Sequence, residues 1–106
     1  MENQHRKITG YRELSQTEID LMNEIKAKGE ELKELVSRIQ EYIHNQSRKS
    51  NAVLATDATG EERTEAYKEA GRILGADAYR WSAIAKTDLQ TGLMALTRAV
   101  AQPGSF

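Results

Sequence analysis

Residues 15–45 read SQTEIDLMNEIKAKGEELKELVSRIQEYIHN, and this stretch decides the fold. Strong helix formers, chiefly Glu, Lys, Leu, Met, Gln and Ile, prevail throughout it. Ser15 and Glu18 stand at the spacing of a capping box, in which each side chain accepts from the other's otherwise unpaired backbone amide. The helix is therefore expected to start just after Ser15. Apolar or small residues then recur at Met22, Ile25, Gly29, Leu32, Val36, Ile39 and Ile43. Their spacing alternates three and four, which is a heptad seam. Leu21, Leu35 and Tyr42 widen the seam beyond what a two-stranded contact needs.

Outward from it, residues 1–14 read as a short N-terminal arm, and the polar run Asn45-Gln46-Ser47-Arg48-Lys49-Ser50-Asn51 reads as a connection. That connection is placed at 46–60, with Asp57-Ala58-Thr59-Gly60 resembling a turn and helix cap. Helical composition resumes at Glu61 and continues to Ala101, with a break expected near 75, where Gly71 and Gly75 weaken the run and Asp77 is placed to cap a restart. Trp81, Ala85, Leu89, Gly92, Leu93, Leu96 and Val100 share one face of the last part. The sole proline, Pro103, lies in the tail, residues 102–106. No alternating pattern of useful length marks a strand. The reading is a single all-α domain over 1–106, a long helical hairpin with one helix returning along another.

Composition limits what such a hairpin does alone. Val, Ile, Leu and Phe supply 20 of 106 residues, and the net charge is only −1. Ordering each residue costs roughly 1.5 kcal/mol, whereas a buried large aliphatic returns about 2 kcal/mol. Few such side chains are present, so the composition favours self-association. With no cysteine there is no disulfide framework and no thiolate chemistry. The longest apolar runs are three or four residues, too short to span a bilayer. No apolar stretch follows the first seven residues to make a signal peptide. The expected setting is a reducing cytoplasm.

Catalytic and metal signatures are missing from the sequence. The histidines are His5 in the arm and His44, read as sitting favourably at a helix C-terminus. No paired histidines, metal-ligand spacing or phosphate-cradling glycine loop stands out, so neither an enzyme, a metal nor a cofactor is expected. Gly29 and Gly92 lie on inward stripes, at about 1 kcal/mol each relative to alanine. Close helix packing explains them, and so does room left for a ligand. Glu24–Lys28 and Glu34–Arg38 stand in the favourable i,i+4 order of a solvated face.

The segment His5-Arg6-Lys7-Ile8-Thr9-Gly10-Tyr11-Arg12 joins bases to an aromatic directly before the first helix. A tyrosine face stacks on a nucleobase for about 1–3 kcal/mol, and adjacent cations meet phosphates. The same residues would also serve as an arm packed on a neighbouring subunit. Lys26 reads either as a solvated helix lysine or as a cation reaching another chain. Trp81 reads as core, with Arg80 beside it on a different face. Repeated Arg80 side chains around an axis would require an anion. Duplex nucleic acid is not expected, because a near-neutral chain has no broad basic stripe.

The arm with Glu13-Leu14-Ser15, and the block Arg80-Trp81-Ser82-Ala83-Ile84-Ala85-Lys86-Thr87-Asp88-Leu89-Gln90-Thr91-Gly92-Leu93-Met94-Ala95-Leu96-Thr97-Arg98-Ala99-Val100, resemble the phage anti-CBASS cyclic-oligonucleotide sponge family. The resemblance implies helical chains interlocked into a homo-hexamer. These would bind cyclic di- and trinucleotide signals of bacterial antiphage defence, such as cyclic GMP-AMP, without cleaving them, in the cytoplasm of the infected host. By position, Tyr11 matches the tyrosine that stacks on a cyclic dinucleotide base. Lys26 matches the lysine on its phosphate. Arg80 matches the arginine of a separate cyclic trinucleotide pocket. That pocket in the family also uses a small hydroxyl-bearing residue near Lys28. Here the pair is Lys28-Gly29, a departure bearing on trinucleotide more than dinucleotide affinity. The alternative reading is a small helical adaptor with no nucleotide site.

Overall fold

The capping box forms as its spacing requires. In a computed structural model that describes residues 13–104, the Ser15 amide donates to Glu18 Oε1 at 2.8 Å and the Glu18 amide donates to Ser15 Oγ at 3.2 Å. Behind this cap, α1 runs unbroken over Gln16–Leu54. It is followed by α2, Gly60–Ala76, and α3, Ala78–Ala101. The described residues are all-helical apart from short connections, and none is in a strand.

The first helix is longer than the expected 15–45, and the connection shorter than 46–60. Between Asn45 and Leu54 the chain has neither glycine nor proline, and Gln46, Arg48 and Lys49 are good helix formers. The seven-residue period also carries on through this polar run. Met22 and Gly29 are half-buried, and Val36, Ile43 and Ser50 are buried. A serine thus holds the seam where sequence polarity suggested a loop. The helix ends instead at residues 55–59. There the Thr56 hydroxyl donates to the Val53 carbonyl at 2.6 Å, and Arg63 Nη1 donates to the Leu54 carbonyl at 3.3 Å. Each bond satisfies a terminal acceptor of the helix.

The returning segment breaks at Asp77, two residues past Gly75. Asp77 adopts the left-handed conformation, with φ 53° and ψ 38°. Aspartate tolerates this region better than most residues. Its amide donates to the Leu74 carbonyl at 3.2 Å, closing α2, and its own carbonyl accepts from the Trp81 amide at 3.2 Å, opening α3.

The face that α3 buries keeps Leu89, Leu93 and Val100 of the one expected and is otherwise shifted. Ser82 is buried, and Ala78, Leu89, Leu93, Thr97 and Val100 are half-buried, whereas Trp81, Ala85, Gly92 and Leu96 are exposed. Small or hydroxyl-bearing side chains allow the closer approach. Gln40 Nε2 donates to Ser82 Oγ at 3.3 Å, while that hydroxyl donates to the Tyr79 carbonyl at 2.7 Å. A bulky Trp81 on that line would hold the backbones apart.

The chain forms two compact units, one from the residues up to Leu32 with those from Asp88 onward, the other Lys33–Thr87. In the first, Leu93 lies over Gly29, where an added Cβ would stand 3.3 Å from Leu93 Cδ1. Close packing therefore accounts for Gly29. Gly92 is exposed, and a Cβ there would meet nothing within 4 Å. In the second unit, Val36, Ile43, Ala66 and the two serines form the buried centre.

Candidate functional site

Three residues were expected to contact ligand, and the structure places two of them. Tyr11 lies outside the described residues. Lys26 stands exposed on α1 in the first unit, directly after half-buried Ile25. A helix turns by about 100° per residue, so a lysine following an inward residue is turned toward solvent. Nearby, Lys28 pairs with Glu31 at 3.7 Å, in place of the i,i+4 partner Glu24.

Arg80 opens the first turn of α3 in the second unit. Its Nε donates to Asp77 Oδ2 at 2.5 Å, and its Cζ lies 5.1 Å from the Trp81 ring centroid. The left-handed Asp77 positions that carboxylate three residues before the arginine. The result is an exposed cation held between a carboxylate and an indole face, a geometry worth about 0.5–1 kcal/mol for its cation–π part. Trp81, read as core, is 57% exposed and serves as that face. The guanidinium keeps further donors for an outside acceptor.

Two features escaped the sequence reading. Arg63 lies 5.3 Å over the Tyr67 ring on α2. Its i,i+4 spacing could have flagged that pair. The second is a groove of about 580 Å³ in the second unit. Tyr42, Asn45, Gln46, Lys49, Ser50 and Val53 of α1 form one wall, and Glu62, Glu65, Ala66 and Glu69 of α2 the other. It escaped notice because residues 46–54 read as a connection rather than a helix. The Arg72 guanidinium, hydrogen-bonded to Glu69, holds that carboxyl below its usual range. His44 is exposed well inside α1, not at a helix terminus. Among the described residues no group of acids and histidines is arranged to hold a metal, and no helix is long and apolar enough to cross a membrane.

The model of the Acb2/Tad1 hairpin domain matches residues 3–101. Anti-CBASS protein 2 of Pseudomonas phage JBD67 is 48% identical over 105 residues, covering 97% of this chain and 97% of its own.

Proposed function

Because the chain belongs to the Acb2/Tad1 hairpin family, we propose that it counters CBASS immunity by sequestering cyclic oligonucleotide signals uncleaved inside the infected host. The observation that carries this reading is the near end-to-end match to a phage protein named for opposing CBASS. Tyr11 stacks on the bases of a cyclic dinucleotide such as cyclic GMP-AMP, and Lys26 meets its phosphates. A doubly charged, two-base ring suits a symmetric interface, where two copies each supply one aromatic and one cation. Exposure of Lys26 supports its share of that role.

Assembly into a homo-oligomer, a hexamer by resemblance, completes what the single chain leaves open. Among the described residues only Val36, Ile43 and Ala66 are buried apolar side chains, while Trp81, Met94 and Leu96 are exposed. Copies of Arg80 brought together would hold a cyclic trinucleotide, its phosphates competing with Asp77 for the guanidinium.

Calorimetry with cyclic GMP-AMP tests the reading. Wild-type protein should bind, and Tyr11→Ala should lose the stacking energy of about 1–3 kcal/mol while the oligomer persists. Lys26→Ala removes a charged contact worth about 1.5–3 kcal/mol. Ligand recovered intact after denaturing the complex separates sequestration from hydrolysis. Absence of binding heat to any cyclic di- or trinucleotide would leave the helical adaptor as the better account.

A further inference from the structure

Several copies of Arg80 brought together repel one another unless an anion lies among them. Each chain already carries one. Arg80 Nε donates to Asp77 Oδ2 at 2.5 Å, and the left-handed backbone at the α2–α3 junction fixes that carboxylate three residues before the arginine. On its other side the guanidinium lies 5.1 Å from the Trp81 ring centroid. The arginine therefore has a neutralising partner and an apolar face to rest on before any ligand arrives.

Exposure decides what this pair is suited to. The Arg80 and Asp77 side chains are 60% and 49% exposed, so the pair adds little to stability and separates easily. Asp77 takes the Nε–H, and the terminal nitrogens of the guanidinium carry the remaining donors, the fork that meets a phosphate. A single phosphate approaching that fork meets a neutral pair instead of a bare cation. It must also compete with a carboxylate tethered nearby, which acts at the high effective concentration of an intramolecular partner. A ring carrying three phosphates engages several guanidinium groups at once, and its gains multiply.

With Arg80 in the trinucleotide pocket already proposed, a reading on which this role rests, we propose that Asp77 is a resident counterion for Arg80. It neutralises the guanidinium in the empty assembly, keeps single phosphates out, and gives way to a multiply charged ring. Asp77 thus sets which anions the pocket accepts, without itself contacting them.

Asp77→Asn isolates the charge, because asparagine tolerates the left-handed backbone and keeps an oxygen that accepts from Nε. Calorimetry on the assembled protein compares cyclic tri-AMP, inorganic phosphate and cyclic GMP-AMP. Asp77→Asn should bind cyclic tri-AMP tighter, by about 2–5-fold for each carboxylate that no longer has to leave. It should also gain heat with inorganic phosphate, and Arg80→Ala in the same chain should abolish both gains. Without ligand, sedimentation should show the Asp77→Asn oligomer dissociating at a higher protein concentration than wild type. Glu69→Gln, which frees Arg72 from an ion pair of the same i,i+3 spacing in the same unit, is the control and should change none of these. Tighter ligand binding beside a weaker empty oligomer is a combination that mere loss of a structural contact does not produce. Unchanged or weaker cyclic tri-AMP binding, an unmoved empty oligomer, an equal gain from Glu69→Gln, or a gain that survives Arg80→Ala would each overturn the counterion role and leave sequestration standing. If neither wild type nor Asp77→Asn binds cyclic tri-AMP, the role falls with the Arg80 pocket, and binding of cyclic GMP-AMP then decides sequestration separately.

Discussion

Ser15 carries the start of the longest helix through two reciprocal hydrogen bonds with Glu18. Ser15→Ala removes an acceptor from the first turn and should cost about 1 kcal/mol of stability, measured by urea unfolding. Gly29 works by what it lacks. Leu93 occupies the space where a side chain would be, 3.3 Å from the position of a Cβ. Gly29→Leu should therefore destabilise by about 1–3 kcal/mol through overpacking, despite leucine's better helix propensity. Gly29→Ala should cost less, because only the end of a flexible leucine must shift by a few tenths of an ångström. A larger loss for alanine than for leucine in the same urea series would refute the packing argument. Both residues were legible in sequence, Ser15 by its spacing to Glu18. Gly29 was legible only as an anomaly, since its reason lies far along the chain at Leu93.

At the scale of elements, the junction between α2 and α3 depends on one backbone conformation. Asp77 offsets its positive φ by closing one helix and opening the next. Asp77→Val places a β-branched side chain in the left-handed region and should cost roughly 1–2 kcal/mol. Asp77→Gly removes the backbone strain and leaves only the loss of the Arg80 contact, so it should unfold at higher urea than Asp77→Val. On α2, the hydrogen bond from Arg72 lowers the Glu69 pKa, opposed by weaker desolvation and aided by the arginine's charge. A folded pKa below the unfolded one means the pair's contribution is present above the ordinary value of 4.5 and is lost as pH falls through the lower folded value. An NMR titration of the Glu69 carboxyl should show that lowered midpoint, and Arg72→Gln should return it toward 4.5. Element type was plain from composition and periodicity. The end of α1 was not, because polar residues 45–51 carry loop composition while Ser50 continues the buried heptad.

For the whole molecule, the decisive fact is how little one chain encloses. Leu74 is 83% exposed, Met94 72% and Leu96 54%, against three buried apolar side chains among the described residues. Sedimentation should accordingly give a mass well above the 11.9 kDa of one chain. A bound cyclic dinucleotide should raise the melting temperature in proportion to the logarithm of its concentration. The sequence by itself determined the helical class, the first cap, the seven-residue seam and the family, because these rest on local spacing and on residue identity along the chain. The tertiary structure alone decided where α1 stops, which face of α3 turns inward, that Trp81 lies exposed beneath Arg80, and that a groove opens between α1 and α2. The inward face of α3 and the floor of the groove depend on small side chains, Gly29 beneath Leu93, Ser82 bonded to Gln40, and buried Ser50 and Ala66. A small residue permits close approach without specifying what approaches, so its partner is fixed only when the helices pack.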